Sequence, residues 1–343
     1  MKRILNNLYV MTQGVYLKKE GEAVVIRKGK ETLMKFPLLA LNGIICFGNI
    51  RFSPYLLGYC AEKGLTVSFL TEYGKFLFRV QGPVSGNVLL RKEQYRISDD
   101  YDRSLQMAKN FVLGKIFNTR SVLQRLTRDH GDKTDLKAVN ESIEILSRSL
   151  KETEKSSTLD HLRGVEGNAA NAYFNVFNEL IVSQKADFSF NERNRRPPLD
   201  RVNALLSFTY TLLYHDVRNA LESVGLDPAV GFLHRDRPGR YSLALDIMEE
   251  FRPFIADRLV LSLINLKQIS GKDFTISDSG AVLMKENARK SLIAAYQKRK
   301  QDAIVHPYLN DEMHIGLLFH TQALLMARHI RGDIDGYPPF FWR

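Results

Sequence analysis

Cysteine is nearly absent from this 343-residue chain, which has only Cys46 and Cys60, both in apolar surroundings. That scarcity excludes a disulfide-stapled scaffold, and the two lack the paired spacing of a zinc site. A single bridge between them stays open, with two buried thiols the better reading. No apolar run reaches the length that spans a bilayer. The N-terminus, Met1-Lys2-Arg3-Ile4-Leu5-Asn6-Asn7, leads into a strand-like alternation and not into the apolar core of a signal peptide. These absences point to a cytoplasmic protein with no membrane partner. Internal repeats and low-complexity tracts are missing too. Acidic side chains are in deficit: 38 Asp and Glu face 49 Lys and Arg, a net charge of +11. Such an excess favours polyanions through phosphate contacts and counterion release, without separating DNA from RNA or from an anionic membrane.

What is present is enough for two domains with substantial cores. Hydrophobic residues make up 44% and charged residues 25%, the composition of an ordinary globular protein. The opening ninety or so residues read as β, with short Val, Ile, Tyr and Phe runs punctuated by turn signals at Glu20-Gly21 and Lys28-Gly29-Lys30. The runs fall at 8–11, 15–17, 23–26, 32–36, 43–47, 65–70 and 76–80. Gly43-Ile44-Ile45-Cys46-Phe47 is continuously apolar, as a strand buried on both faces requires. Between these strands, 54–63 has helical spacing, with Pro54 suited to a first turn. From about Tyr101 the period becomes 3.6 and persists. Helices are expected near 101–128, 135–152, 157–184, 199–223, 241–251, 253–269, 283–301 and 312–331. The fold class is therefore α+β, with a β domain over 1–92 and a larger all-α domain over 93–343. The aromatic, proline-rich ending, Tyr337-Pro338-Pro339-Phe340-Phe341-Trp342-Arg343, is expected to dock on the fold, although an exposed partner peptide is the alternative.

Glu166, His234 and Glu249 are three residues of metal-ligand type in distinctive surroundings. Glu166 lies between Gly164 and Gly167, followed by Ala169, Ala170 and Ala172. Glycine is costly inside a helix, so close approach of a backbone or ligand is one explanation, and a tight helix crossing with an incidental Glu the other. His234 ends Gly231-Phe232-Leu233-His234 and precedes Arg235-Asp236-Arg237-Pro238-Gly239-Arg240, either an anion-binding loop or a solvated basic turn. Asp246 and Glu249 are three apart and share a helix face, which is either a ligand pair or a solvated surface. Carboxylates with an imidazole suit Mn²⁺ or Mg²⁺. The asparagines at 168, 171, 175 and 178 read mainly as a solvated face. A second stripe, Asn203, Ser207, Tyr210 and Tyr214, either orients ligands from behind or satisfies itself in the core.

In order, the chain carries a Glu-Gly-x-Ala-Ala helix, a basic Pro-Pro-x-Asp-x-Val-Asn-Ala-Leu-Leu helix, Gly-Phe-Leu-His with a Pro-Gly loop, and Ser-Leu-Ala-Leu-Asp-Ile-Met-Glu-Glu-Phe-Arg-Pro. This set closely resembles the family of CRISPR-associated protein one, the spacer-acquisition integrase, over the whole chain, including His306-Pro307-Tyr308-Leu309 and Gln322-Ala323. The ending from Arg328-His329-Ile330-Arg331-Gly332-Asp333 to Tyr337-Pro338-Pro339 looks like the type I-C branch. The resemblance implies a β-sandwich-like N-terminal domain, a helical catalytic domain, a homodimer, and assembly with the small CRISPR-associated protein two, two such dimers flanking one small dimer. It places the metal ligands on Glu166, His234 and Glu249, with Asp246 as the neighbouring catalytic acid. The last ligand is often Asp in the family; here it is Glu, with Glu250 a minor competitor rotated away from Asp246. The implied reaction is metal-dependent joining of a protospacer duplex, through its 3′-hydroxyl, to DNA at the leader–repeat boundary. Arg193, Arg195, Arg196, Arg235, Arg237 and Arg240 are the expected phosphate contacts. A nuclease acting on branched repair intermediates and a non-catalytic DNA-binding scaffold are the rival readings.

Overall fold

The computed structural model of the protein describes residues 7–41, 43–73, 76–80, 82, 88–130 and 135–342. The chain divides into two units, Met1–Gly86 and Asn87–Arg343.

The first unit contains β1 (Asn7–Val10), β2 (Tyr16–Glu20), β3 (Ala23–Lys28), β4 (Glu31–Pro37), β5 (Gly43–Phe47), β6 (Arg51–Phe52), α1 (Pro54–Glu62), β7 (Thr66–Leu70) and β8 (Phe76–Val80). They form two four-stranded sheets, ordered β1-β5-β7-β8 and β4-β3-β2-β6. In the first, β1, β5 and β7 run parallel and β8 returns antiparallel. In the second, hairpins link β2, β3 and β4, and β6 adds in parallel to β2. One core joins them: Val10, Ile44, Cys46 and Val67 from the first sheet meet Leu17, Val24 and Ile26 from the second, with Leu56 and Cys60 of α1. This is the sandwich-like arrangement. All five residues of β5 are buried, as their unbroken apolar run demands. Helix α1 starts where Ser53 Oγ accepts the Leu56 amide at 3.2 Å and Pro54 fills the first turn. Both cysteines are free thiols. Burial drives both thiols up, Cys60 to about 11.

The second unit holds α2 (Val88–Asp99), α3 (Tyr101–His130), α4 (Leu136–Lys155), α5 (Leu159–Asn175), α6 (Arg201–Ser223), α7 (Ser242–Met248), α8 (Arg258–Asn265), α9 (Glu286–Gln301) and α10 (Ile315–Ile330). A short π-helical stretch, Arg252–Asp257, joins α7 to α8. The unit begins a few residues before the expected boundary because α2 belongs to it. Nor is it all-α: β9 (Phe274–Ile276) pairs with β10 (Val282–Met284), and β11 (Ala303–Val305) with β12 (Glu312–His314). Val282-Leu283-Met284 extends the apolar spacing of α9 backwards, so a strand looked like helix. The segment 157–184 likewise divides. Helix α5 stops at Asn175, and a 3₁₀ turn, Phe177–Leu180, turns Phe177 and Leu180 into the core.

The C-terminal segment docks as expected, with Tyr337, Phe340 and Trp342 buried. Its anchor is Glu250, whose carboxylate accepts from Tyr337 Oη (2.7 Å), the Phe340 amide (2.8 Å) and Gln322 Nε2 (2.9 Å). Asn118 of α3 donates to the carbonyls of Glu250 and Phe340 and accepts the Trp342 amide. Gly114 makes this approach possible, since a Cβ there would lie 2.8 Å from Glu250 Cγ and 3.3 Å from Pro339 Cβ. Burial pushes the Glu250 carboxyl up to about 8, against the lowering effect of its three donors. A carboxyl raised on folding binds its proton more tightly in the folded chain, so its stabilisation is full at low pH and is lost as pH rises through about 8. Between the ordinary carboxyl range and about pH 8, the stability of Glu250→Gln relative to wild type should therefore rise with pH in urea titrations. A pH-independent difference would show that Glu250 is charged in both states.

Candidate active site

The site lies within the helical unit and is built from α3, α5, the 231–234 loop and the end of α7. Glu166 sits midway along α5 on its half-buried side. Glu249 follows the last residue of α7 and is buried. Between them stands Lys115 of α3. Its ammonium pairs with Glu166 Oε1 and lies 2.9 Å from Glu249 Oε2. Arg252, one turn beyond Glu249, pairs with the other oxygen, Oε1, at 2.8 Å. Burial alone would lift the Glu249 carboxyl; Arg252 first, then Lys115 and His234, overcome it and hold it below the usual carboxylate range. Burial likewise opposes charge on Lys115, yet Glu249 and Glu166 raise it above its ordinary value. Although Lys115 is close, Glu249 Oε2 receives no hydrogen bond of good geometry among the described residues. The 2.9 Å pairing is thus charge neutralisation more than a directed bond.

Asp246 organises the adjacent loop. Its Oδ2 accepts the amides of Phe232 (2.7 Å) and Leu233 (3.0 Å), and its Oδ1 accepts the amide of His234 (3.0 Å). His234 Nδ1 lies 2.6 Å from the same Oδ1. With Nδ1 held as the donor to this carboxylate, Nε2 is the nitrogen left with a lone pair, and it has no protein partner among the described residues. Asp246 is fully buried and occupied by the loop, so it stands behind His234 and not beside it as a ligand. Gly231 permits this: a Cβ there would lie 2.7 Å from Ser242 Cβ and 2.8 Å from Asp246 Oδ2. Arg163, one turn before Glu166 on α5, clamps the loop by donating to the Leu233 carbonyl from Nη2 (2.8 Å) and Nε (3.2 Å). An open depression of about 450 Å³ is lined here by Asp160, Arg163, Leu233, His234, Arg235 and Arg240.

Among the described residues, no three His, Cys, Asp or Glu side chains are close enough to hold a metal ion. The donor chemistry still fits one: two carboxylates converge, one with a buried oxygen lacking a directed donor, and an imidazole nearby has its second nitrogen free. The space between the carboxylates is held by an ammonium.

The other expected residues separate. Arg195, Arg196, Arg235 and Arg237 are exposed, and Arg240 is half-buried, bonded to the Arg235 carbonyl and to Ser242. Arg193 turns inward to Asn203 and to Ser207 (3.1 Å), its guanidinium near the Tyr210 ring. Asn203 is buried and also holds Asp200 and the Glu192 carbonyl. Tyr210 donates to Asp257 at 2.7 Å, as Tyr173 does at 3.1 Å. Burial pushes Asp257 up to about 6. Tyr214 packs toward Tyr241 and His215 instead. Glu250 is taken by the C-terminal segment. The spaces over Gly164 and Gly167 are open, so no close approach explains those glycines among the described residues. Asn168, Asn171 and Asn175 are exposed, as a solvated face should be.

A mixed fold with a two-sheet N-terminal unit, a mostly helical second unit and an acid–imidazole site defines the class. The model for CRISPR associated protein Cas1 matches residues 8–298, and the chain belongs to that family. It is 57% identical over 343 residues, the whole of both chains, to CRISPR-associated endonuclease Cas1 1 of Chlorobaculum tepidum. In fold it is similar to a casposase bound to an integration product, with TM-score 0.83 and 22% identity, covering 99% of this chain and 95% of that one. It is also similar to a chain of a Cas6-RT-Cas1–Cas2 complex, with TM-score 0.83 and 21% identity, covering 100% of this chain and 36% of that one. No helix among the described residues is long and apolar enough to cross a membrane.

If Asp246 holds the loop as described, Asp246→Asn should cost about 1–3 kcal/mol and accelerate amide exchange at Phe232, Leu233 and His234. Unchanged exchange at these three amides would contradict that role.

Proposed function

We propose that the protein is a DNA endonuclease and integrase of CRISPR adaptation, with Glu166, His234 and Glu249 holding a divalent cation, Mg²⁺ or Mn²⁺. The observation that carries this is the meeting of Glu166 and Glu249 on one cation, Lys115, next to a histidine oriented by a buried carboxylate. The family, and the endonuclease named at 57% identity, supply the reaction class. Bound there, the cation would polarise the phosphodiester and offset the charge that builds on the attacking and departing oxygens.

The chain's own residues prepare that step. Arg252 fixes Glu249 through Oε1. Asp246 keeps Nδ1 of His234 as the donor and turns Nε2 outward. Exposed Arg235 and Arg237, with Arg163 and Arg240 at the depression, form a basic rim for phosphate positioning. Arg195 and Arg196 lie on a separate exposed stretch that suits the same role, whereas Arg193 supports the site from within. In joining, a protospacer 3′-hydroxyl attacks a phosphorus at the leader–repeat boundary. One P–O bond forms, one breaks, and the departing 3′-oxygen takes up a proton. The bond made is of the same kind as the bond broken, so no nucleotide cofactor is needed. The small CRISPR-associated protein two is the proposed partner, two dimers of this chain flanking one dimer of it. The C-terminal sequence resembles that of the type I-C branch, which supports reading the chain as a member of it.

The test is joining of a 5′-labelled duplex with free 3′-hydroxyls to a supercoiled array plasmid, with the small partner and Mg²⁺ or Mn²⁺. Glu166→Ala, His234→Ala and Glu249→Ala should each reduce joined product by roughly a hundredfold or more while duplex binding persists. Full joining in any one removes that residue from the site. Cleavage without joining in wild type would favour the nuclease reading.

A further inference from the structure

Lys115 is the one lysine of α3 that points into the acidic site, and its position is fixed from several sides. Its carbonyl accepts from Thr119 Oγ1 at 2.8 Å. Gly114 before it packs under Glu250, and Asn118 one turn later is bonded to the C-terminal segment. Its side chain is only 14% exposed, so it does not lead a solvated life of its own. An ammonium in such a place is strongly disfavoured unless carboxylates neutralise it, and the buried Glu249 carboxylate beside half-buried Glu166 is disfavoured without a cation.

We propose that Lys115 is a built-in cation that holds Glu166 and Glu249 together and yields them to the divalent ion by exchange. This rests on Glu166 and Glu249 being ligands. Charge balance favours exchange over addition. The two carboxylates are already neutralised by Lys115 and Arg252, so a divalent ion added to all four groups would leave two positive charges uncompensated in a buried site. The oxygens also divide the labour. Arg252 occupies Oε1 of Glu249, while Oε2, which lacks a directed donor, is the one facing Lys115. A lysine suits the exchange because its compact charge sits on a flexible stem, whereas the arginine fork is held by its geometry. Once displaced, the ammonium remains tethered to a fixed helix beside the ion, where a phosphodiester would neutralise it.

The test is Mn²⁺ binding by calorimetry and by thermal melting, on the full chain without DNA. Lys115→Met keeps the stem and removes the charge; Lys115→Gln is the second variant. Lys109→Met is the control, removing a positive charge from an exposed site on the same helix. Exchange predicts that Lys115→Met melts below wild type without metal, binds Mn²⁺ roughly tenfold or more tighter, and gains more melting temperature from Mn²⁺ than wild type does. If the metal-free variant does not fold, recovery on refolding with Mn²⁺ supports exchange, and failure of both Lys115 variants to recover overturns it. Unchanged or weaker Mn²⁺ affinity in Lys115→Met overturns it, as does an equal gain in Lys109→Met. Failure of the ligand assignment is read separately: Glu249→Gln would then bind Mn²⁺ like wild type. Absence of Mn²⁺ binding from every protein, wild type included, removes both.

Discussion

Mutual neutralisation of buried charge is the constraint on which the helical unit's site depends. Glu249 is buried deeply enough that its charged form would be lost without compensation, and Arg252 and Lys115 supply that compensation from two directions. Because Lys115 comes from α3, Glu166 from α5 and Glu249 and Arg252 from the α7–π junction, the ionic cluster also ties three separated parts of the chain together. Removing Lys115 would leave Glu166 without its cation and Glu249 with Arg252 alone, and a buried charge stripped of compensation costs more than a pairing contributes.

Around this cluster, two further carboxylates have been given structural tasks. Asp246 gathers three consecutive amides and the histidine ring, so the loop has one arrangement and His234 one useful orientation. Glu250, a single residue beyond Glu249, faces the opposite way and gathers the C-terminal segment. The hundred-degree step between neighbouring helical positions thus sends one glutamate to the site and the next to the tail. Asp257, with Tyr173 and Tyr210, forms an adjacent buried network, and Arg252 lies with its guanidinium near the Tyr210 ring. The polar interior is therefore divided among ligand orientation, loop support and tail docking.

Much of this was legible in the sequence because it followed from period and local chemistry. The strand runs of the first unit, the fully buried β5 and the turn signals survive intact as elements. Glu166, His234 and Glu249 stood out by their surroundings, and Asp246 by its spacing from Glu249. Lys115 did not, because a lysine on an amphipathic helix reads as a solvated residue until the opposing carboxylates are placed by tertiary packing. Arg252 left a usable signal, its three-residue spacing from Glu249. Arg193 was misdirected by the same logic, since a basic proline stretch looks exposed and Asn203 and Ser207 turn it inward. The two short hairpins of the second unit were hidden because their three-residue strands β10 and β12 run directly into α9 and α10, so the helical period was read back through them.

Glu166, Glu249 and His234 are proposed to make a cation site whose place Lys115 keeps. A crystal soaked with Mn²⁺ and measured at the manganese absorption edge addresses it most directly. One anomalous peak is expected within coordination distance of carboxylate oxygens of Glu166 and Glu249 and of His234 Nε2, with Lys115 Nζ drawn away from both carboxylates. Manganese bound elsewhere, with the ammonium still between Glu166 and Glu249, would contradict it.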